Sequence, residues 1–280
     1  MNQKVAFLTT IFPMKQEYLT DFFTSLQRQT FKKFDLIVVN DGYEGLSELL
    51  LTYKDLNVIE LKYNETPAKN REYGINYIKN NNYDILIFGD SDDYFKDNRI
   101  QVSIEELTKY DIVVNDLSLF NSESIYSERY ISNRIKNMTE IDLEFIKEKN
   151  IFGLSNTALN INILDNMYFD KKLIAVDWYL FSILLAKGHK AIFTNNTETF
   201  YRQHASNTVG IGNLTKEIIV KGMLAKFKHY ELLQKEMIQY RALFLEISQL
   251  KVKVEKEEFI EKLKKQNIMN PLWWEEIKLI

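Results

Sequence analysis

The chain has 280 residues, 45% of them hydrophobic and 27% charged, which is typical of a globular protein with one full core and room for a smaller appendage. The formal net charge of -3 excludes a global electrostatic attraction to nucleic acid or anionic lipid, so no nucleic-acid partner is expected. The absence of cysteine excludes disulfides, thiolate metal sites and a cysteine nucleophile, and it is typical of a cytoplasmic protein.

The first part of the chain alternates between strand-like and helix-like patterns. Strands are predicted at residues 5–10, 34–40, 58–61 and 85–89, and helices at 17–29, 45–53, 67–79 and 99–109. Strands separated by helices of this length indicate βαβ units with right-handed crossovers. The sequence therefore predicts an α/β protein with a mainly parallel sheet flanked by helices.

The middle of the chain is more irregular. A short strand is predicted at residues 112–114, and the mixed polar composition of 116–160 indicates loops around short strands, where a variable substrate site is expected. Residues 177–187 have helical apolar spacing and end at Gly188, a typical C-cap residue. Two further short strands are predicted at 191–193 and 199–201.

Beyond residue 214 the pattern is almost wholly helical, and we expect a separate C-terminal helical extension over 214–280. Asn270 and Pro271 resemble an N-cap followed by proline at the first helical position. No run of the sequence reaches the length of about 18 apolar residues expected of a membrane span, so any membrane contact is expected to be peripheral. Lysines beside Phe259 and Leu263 leave a membrane-surface helix open, while neighbouring glutamates favour packing on the first domain or pairing of subunits in a homo-oligomer.

The most informative stretch is residues 85–93, where a short apolar run opens directly onto Asp90, Asp92 and Asp93. Open α/β sheets bind their ligands just beyond the carboxyl ends of such strands. Two carboxylates about 4 Å apart repel by roughly 1 kcal/mol in water and by about 4 kcal/mol at an effective dielectric of 20. The cluster therefore favours a divalent cation, and oxygen ligands suit Mg²⁺ or Mn²⁺. The alternative is a solvated turn in which one acid caps the next helix.

Two other kinds of acidic motif fit this stretch less well. Counted from Asp90, an EF-hand would need glycine at the sixth position and glutamate at the twelfth, where the chain has Phe95 and Gln101. Phosphatases of the haloacid dehalogenase type carry a DxD after the first strand of their fold, whereas three strand-helix units precede it here. The first motif is excluded and the second is disfavoured.

The order of the motifs resembles a family two glycosyltransferase with the GT-A fold of the nucleotide-diphospho-sugar transferase superfamily, over about residues 5–210. The segments that carry this resemblance are Thr9-Thr10, the "QT(F/Y)" turn at residues 29–31, "VVNDG" at 38–42 for "VDDGS", "PAKN" at 67–70 for "ARN", "GDSDD" at 89–93, "FD" at 169–170, "VDW" at 176–178 for "EDW", and "YRQH" at 201–204. The departures from the family pattern are Asn40, Tyr43, Lys69 and Val176.

The resemblance implies a role for each matching residue. Nucleotide or diphosphate contacts are implied for Thr9, Asp41, Lys69, Asn70, Asp90 and Arg202, and metal contacts for Asp92, Asp90 and His204. Asp177 corresponds to the catalytic base. With an ordinary aspartate pKa near ~4, Asp177 is expected to be ionised at neutral pH without special tuning. The resemblance also divides the GT-A domain, 1–213, into a nucleotide-binding half at 1–115 and an acceptor-binding half at 116–213.

The function implied is that of an inverting, metal-dependent glycosyltransferase with Mn²⁺ or Mg²⁺. Such an enzyme moves a sugar from a nucleotide-diphospho-sugar to a glycan or lipid-linked acceptor in cell-surface polysaccharide synthesis. Lys69, Arg71 or Arg202 could stabilise the charge of the leaving diphosphate. Two alternatives stay open. One is a nucleotidyltransferase or phosphatase on a related sheet, and the other is an inactive GT-A-like interaction protein, which the changed residues Asn40, Tyr43 and Val176 motivate.

Overall fold

The structure is a computed structural model that describes residues 3–203, 215–253, 257–266 and 268–278. The strands of the described part are β1 (Val5–Ile11), β2 (Phe34–Asn40), β3 (Asn57–Lys62), β4 (Ile85–Phe88), β5 (Tyr94–Phe95), β6 (Ile112–Phe120), β7 (Ile125–Ser127), β8 (Thr139–Ile141), β9 (Thr157–Asn160) and β10 (Ala191–Arg202). The α-helices of the described part are α1 (Gln16–Gln27), α2 (Leu46–Leu50), α3 (Pro67–Asn80), α4 (Arg99–Glu106), α5 (Val176–Ala186), α6 (Lys216–Glu236), α7 (Arg241–Lys253) and α8 (Glu257–Lys264).

The strands form one sheet in the order β3-β2-β1-β4-β9-β6-β10-β5, with β7 paired to β6 and β8 paired to β10. Strand β1 pairs in parallel with β2 and β4, and β2 pairs in parallel with β3, as the predicted βαβ units require. Strand β9 is antiparallel to its neighbours β4 and β6, whereas β10 is parallel to β6. The predicted mainly parallel α/β sheet is confirmed.

Apolar side chains of the sheet are divided between two cores. On β1, Ala6 and Leu8 belong to one core, while Phe7 and Ile11 belong to the other. This division follows from the strand period of two residues, which sends successive side chains to opposite faces. Helices therefore cover both faces of the sheet, and the carboxyl ends of the parallel strands open at one edge.

Two predictions for the middle of the chain were wrong in their extent. Strand β6 continues to Phe120 and is buried along its whole length, although the polar composition of residues 116–160 had indicated loops around short strands. Several of those polar groups find partners inside the protein; for example, Oδ1 of Asp116 accepts a hydrogen bond from Ile131 N at 2.9 Å. The two short strands predicted between residues 191 and 201 are a single strand, β10, with a register shift between Thr194 and Glu198.

The end of α5 agrees with the prediction. Gly188 has a φ of +88°, the left-handed conformation that glycine adopts more readily than other residues at a helix C-terminus. The side chain of Trp178, near the start of the helix, is fully buried and donates from Nε1 to the carbonyl oxygen of Ile146 at 2.6 Å. The helix is therefore fixed at both ends.

The C-terminal helices pack on the rest of the chain. His229 of α6 stacks on Trp178 of α5 with ring centroids 3.8 Å apart, and Tyr230 donates from its hydroxyl to the carbonyl oxygen of Lys147 at 3.0 Å. The predicted helix after Asn270 is wrong, because Asn270 has a φ of +48° instead of the extended conformation of an N-cap. None of the helices in the described ranges has the length and apolarity needed to cross a membrane.

Candidate functional site

A cleft of about 180 Å³ lies at the sheet edge where β1 and β4 end. Its floor and walls come from the ends of these strands, the first turns of α3 and α5, the loop before β9 and the C-terminal residues. The residues that line it are Thr10, Phe12, Pro67, Arg71, Asp90, Ser91, Asp92, Gly153, Leu154, Ser155, Ile174, Ala175, Val176, Asp177, Tyr201, Trp273 and Trp274. Ligand sites of open α/β sheets lie at this edge.

Gly89 precedes the turn that carries Asp90, Asp92 and Asp93, here called the acidic turn. A Cβ at this position would lie 2.4 Å from Cζ of Phe7 and 2.7 Å from Cζ of Phe95. Only glycine allows the backbone to pass so close to these two buried rings. The backbone at the end of β4 therefore packs directly against the core, and this packing fixes the position of the acidic turn that follows.

Asp90 and Asp92 both line the cleft. Arg71 of α3 donates from Nη2 to Oδ1 of Asp90 at 3.0 Å, so a cation lies against the first acid. Burial is the largest cause that raises the pKa of Asp90, the Arg71 charge lowers it, and the Asp92 charge raises it. The two carboxylates thus repel each other within the cleft, as the sequence predicted for this motif.

Asp93 has a different environment and is fully buried. Its Oδ1 accepts a hydrogen bond from Arg202 N at 2.7 Å, and its Oδ2 accepts one from the Ser155 hydroxyl. Burial, followed by the charges of Asp92 and Asp90, raises the pKa of Asp93 well above its usual value. The third acid therefore ties the acidic turn to β10 and to the loop before β9.

Asp177 lies in the first turn of α5 and lines the same cleft as Asp90 and Asp92. Its Oδ1 accepts a hydrogen bond from Trp178 N at 2.8 Å, and its Oδ2 accepts one from Nδ2 of Asn150 at 3.2 Å. The pKa of Asp177 is raised to about 7: burial is the largest cause, the hydrogen bond from Trp178 N opposes it, the Asp90 charge adds to it and the Arg71 charge opposes it. The expectation of an ordinary pKa near ~4 was wrong, because burial disfavours the charged form.

Of the residues assigned to the nucleotide, Asn70 lies in the first turn of α3 and forms a side-chain hydrogen bond with Asp41. Asn70 is fully buried; its Oδ1 accepts a hydrogen bond from Glu65 N at 3.2 Å, and its Nδ2 donates to Glu65 O at 3.3 Å. Burial raises the pKa of Asp41, while a hydrogen bond with Asn70 and the Arg71 charge lower it. Thr9 lies on β1 and is buried, and the next residue, Thr10, lines the cleft.

The two other basic residues proposed for phosphate contacts have protein partners. Lys69 is 8% exposed, and its ammonium lies 2.7 Å from Oε2 of Glu72 and 3.9 Å from the ring centre of Tyr168. Arg202 donates from Nε to the carbonyl oxygen of Asp92 at 2.7 Å and from Nη2 to Oδ2 of Asp21 at 2.5 Å. Arg71, rather than Lys69 or Arg202, is the cation that lines the cleft.

The donor set at the acidic turn fits a hard divalent cation. No group of three or more acids or histidines within the described ranges is arranged as a metal site. Mg²⁺ and Mn²⁺ are, however, commonly held by one or two carboxylates and completed by substrate phosphates, and Asp90 and Asp92 supply two such carboxylates. His204, the third predicted ligand, lies outside the described residues.

Several residues of the cleft had no assigned role in the sequence. They are Ser155, Tyr201, Trp273 and Trp274, which line it, and Asn150, which lies behind it and donates to Asp177. Burial and the charges of the acids of the cleft raise the pKa of Tyr201 well above its usual value, so its hydroxyl stays protonated among them. The adjacent tryptophans were a visible signal in a largely polar tail, whereas Asn150 and Ser155 lie in a polar segment with no distinguishing pattern.

The sheet and its acidic cleft define an α/β protein of the GT-A glycosyltransferase type. Two solved structures share this fold: S. aureus TarS 1-349 in complex with UDP-GlcNAc (TM-score 0.61, 16% identity, 95% of this chain and 77% of that chain) and the mannosyltransferase PcManGT from Pyrobaculum calidifontis in complex with GDP-Man and Mn²⁺ (TM-score 0.62, 12% identity, 96% and 78%). At these identities the likeness concerns the fold alone, and it confirms the predicted fold class.

The family is shown by the sequence. The family model described as "Glycosyl transferase family 2" matches residues 9–174, and the chain belongs to this family. A relative, the uncharacterized glycosyltransferase YwdF of Bacillus subtilis (strain 168), is 28% identical over 118 residues, which make up 41% of this chain and 43% of that protein. The prediction of a family two glycosyltransferase is thus confirmed at the level of the family.

Proposed function

We propose that the protein is an inverting, metal-dependent glycosyltransferase that moves a sugar from a nucleotide-diphospho-sugar to an acceptor hydroxyl. One observation carries this proposal: Asp177 lines the same cleft as Asp90 and Asp92. A single displacement needs a base for the acceptor on one side of the sugar and a means of stabilising the leaving diphosphate on the other. The cleft offers residues of both kinds.

The donor class is supported by the two structures of the same fold, which hold UDP-GlcNAc in one case and GDP-Man with Mn²⁺ in the other. In this chain, Asp90 and Asp92 would hold the divalent cation. When bound, such a cation acts as a Lewis acid that stabilises the charge of the leaving diphosphate. Arg71, which already lies 3.0 Å from Asp90, adds a positive charge to the same side of the cleft.

The proposed transfer is a single step in which the bonds balance. The bond from the anomeric carbon to the phosphate oxygen breaks, and its electron pair leaves with the nucleoside diphosphate. The acceptor oxygen forms the new bond on the opposite face of the sugar, and its proton goes to the carboxylate of Asp177. With a pKa of about 7, Asp177 is a stronger base than an ordinary aspartate, and it is ionised in a useful fraction at neutral pH.

The family resemblance also supports the biological setting that we propose. We infer that the acceptor is a glycan or a lipid-linked saccharide and that the reaction belongs to cell-surface polysaccharide synthesis. The absence of cysteine fits a reducing compartment, and we place the enzyme in the cytoplasm, with any membrane contact peripheral. The two-domain division at residue 213 and a homo-oligomer formed through the C-terminal helices remain predictions.

Calorimetric titration with UDP, GDP and dTDP tests the donor site, each with Mn²⁺ and again with EDTA. We expect one nucleotide to bind in a metal-dependent manner and the Asp92→Ala variant to lose this binding. Release of the nucleoside diphosphate from the matching nucleotide sugar should follow, and NMR of the freed sugar should first detect the anomer opposite to that of the donor.

The other outcomes point to the alternative functions. Release of pyrophosphate or hydrolysis of a sugar phosphate, without cleavage of a nucleotide sugar, would indicate a nucleotidyltransferase or a phosphatase. Absence of nucleotide binding with and without metal would indicate an inactive GT-A-like protein. Retention of the donor's anomeric configuration in the freed sugar would contradict the single displacement.

A further inference from the structure

The C-terminal residues 268–278, here called the terminal segment, form part of the cleft. Trp273 and Trp274 line it together with Asp177 and Tyr201, although the family match ends at residue 174. Trp273 is 7% exposed and Trp274 is 8% exposed, so both residues are largely packed against the protein. This wall is therefore a feature of this chain that the family motifs do not record.

Contacts along its length hold the terminal segment against the part of the chain between residues 130 and 150. The hydroxyl of Tyr130 donates to the carbonyl oxygen of Pro271 at 2.7 Å, and Asn150 N donates to the carbonyl oxygen of Trp273 at 2.9 Å. Arg134 and Glu275 form an ion pair in which Nη1 and Nη2 of the guanidinium each contact one carboxylate oxygen. The contacts with Tyr130, Arg134 and Asn150 thus set the position of the two tryptophans.

The backbone of the terminal segment is strained at the cleft. Trp274 has a φ of +68°, in the left-handed region that large side chains rarely adopt. Such conformations persist only when the surrounding contacts enforce them, and they cluster at functional sites. Trp273 also packs closely, since a Cβ on Gly153 would lie 3.2 Å from its Cη2, and its ring meets Tyr201 edge-on at 5.7 Å.

The two tryptophans are close to the group that would deprotonate the acceptor. Asn150 connects Trp273 to Asp177, because its backbone N–H donates to the Trp273 carbonyl oxygen while its side chain donates to Asp177 Oδ2 at 3.2 Å. A general base acts over about 2.6–3.2 Å, so the reacting ring of the acceptor has to lie beside Asp177. The surfaces that such a ring can contact there include the two tryptophans and Leu154.

The charge of this part of the cleft restricts the acceptor further. Among the described residues that line the cleft, Arg71 is the one cation, and it is paired with Asp90. The remaining charged groups of the lining are carboxylates. A phosphate or carboxylate on the reacting ring would therefore meet negative charge without a free cation among the described lining residues to balance it.

We propose that the terminal segment forms the acceptor subsite and that Trp273 and Trp274 contact the apolar face of a neutral sugar ring. The proposal rests on the proposed transferase function, in which Asp177 takes the acceptor proton. The parts of the two rings that line the cleft offer an apolar contact, while Asp177 and the Tyr201 hydroxyl supply the polar contacts that fix orientation. The acceptor class is thus a saccharide whose reacting unit carries no phosphate or carboxylate.

An array of neutral and anionic saccharides tests the proposal, probed with the full chain in the presence of Mn²⁺ and the nucleoside diphosphate that it binds. We expect binding to neutral saccharides. The Trp274→Ala variant should weaken it by about ten-fold, as loss of an aromatic contact does, and Trp274→Phe should restore most of it. Met269→Ala is the matched control, because Met269 is 78% exposed in the same segment and should bind like wild type.

Two measurements keep the inference separate from the proposed function and from a folding defect. Nucleotide affinity and circular dichroism of each variant report whether the donor side and the fold are retained. If wild type binds no nucleotide and cleaves no nucleotide sugar, the proposed function fails. If it does both but prefers anionic saccharides, binds none of the array, or binds equally well with alanine at both tryptophan positions, the acceptor inference is overturned while the proposed function stands.

Discussion

The side-chain amide of Asn150 donates to Oδ2 of Asp177 at 3.2 Å, so a buried neutral residue orients the group proposed as the catalytic base. The same Asn150 is itself fixed, since its Oδ1 accepts a hydrogen bond from Phe152 N at 3.0 Å and its Nδ2 also donates to Phe152 O at 3.1 Å. The amide can therefore present only its N–H to Asp177. This hydrogen bond stabilises the ionised form of the base and directs its other oxygen.

Asn150→Asp should reduce transferase activity by about ten-fold or more at pH 7 and move the pH profile to higher pH. The change replaces a hydrogen-bond donor with a second carboxylate, and a like charge beside Asp177 raises its pKa further. The measurement is kcat for nucleoside diphosphate release between pH 6 and pH 9. A variant with an unchanged profile would show that Asn150 does not position the base.

Asn57→Asp is a matched control for this change. Asn57 is exposed at the start of β3 and donates from Nδ2 to Oδ1 of Asp35 at 2.7 Å, so the substitution also sets two carboxylates against each other. This pair of carboxylates would lie at the amino ends of β2 and β3, whereas the cleft lies at the carboxyl ends of the parallel strands. We expect the activity and the pH profile of Asn57→Asp to match those of wild type.

The raised pKa of Asp177 predicts an acidic limb in the activity of the wild-type protein. The base acts only as a carboxylate, so protonation below a pKa of about 7 removes activity and deprotonation above it restores activity. The charge of Asp90 raises this pKa and Arg71 lowers it, so metal bound at the acids should shift the midpoint down. In the presence of metal, we therefore expect kcat/KM to rise to a midpoint below about pH 7 and then level off.

Asp177→Asn should remove this activity while it retains metal-dependent nucleotide binding. The substitution keeps the size of the side chain but removes its capacity to take a proton at neutral pH. The measurements are kcat/KM across the pH range and calorimetric titration of nucleotide with the variant. Activity that is flat between about pH 5.5 and pH 8 in wild type would indicate that Asp177 does not act as the base.

The first half of the fold could be predicted from the sequence because each element carries its own local signals. The run at Ile85–Phe88 is apolar on both faces, and α3 begins with Thr66 as N-cap, which accepts a hydrogen bond from Lys69 N, and Pro67 at its first position. Strand β6 was predicted too short because its polar side chains find their partners, such as Thr199 for Asn115 and Glu198 for Ser118, only after the sheet has formed. Local patterns do not record such distant partners.

The sequence predicted the acids of the candidate site but not the residues that support them. Asp90, Asp92 and Asp177 are marked by short motifs, and the structure brings all three to one cleft. Asn150 and Trp273 come from segments far apart in the chain, and their contact depends on how the terminal segment packs. No local pattern in the sequence indicates that contact.

Arg71 and Lys69 are expected to differ as diphosphate contacts. Arg71 lines the cleft, whereas the Lys69 ammonium is buried against Glu72 and Tyr168. Arg71→Gln should therefore weaken nucleotide binding by about ten-fold or more, since a charge-assisted hydrogen bond is worth about 1.5–3 kcal/mol. Lys69→Gln should change the affinity by less than about three-fold. Calorimetric titration with Mn²⁺ measures both, and the reverse order would assign the diphosphate contact to Lys69.

Gly89→Ala should destabilise the protein through the two rings that crowd this position. The added methyl group would lie 2.4 Å from Phe7 and 2.7 Å from Phe95, and both rings are fully buried and unable to move aside freely. Overpacking of this kind costs about 1–3 kcal/mol in the free energy of unfolding. Because the acidic turn follows directly, we also expect weaker metal-dependent nucleotide binding.

Gly45→Ala is the control for the Gly89 variant. Its added Cβ would meet the Tyr43 hydroxyl at 3.2 Å, at the end of a flexible side chain, and its φ of -85° suits any residue. We expect its free energy of unfolding in urea to stay within about 0.5 kcal/mol of wild type. Equal stability of the two variants would mean that the core around Gly89 relaxes, and the acidic turn would then not depend on close packing at β4.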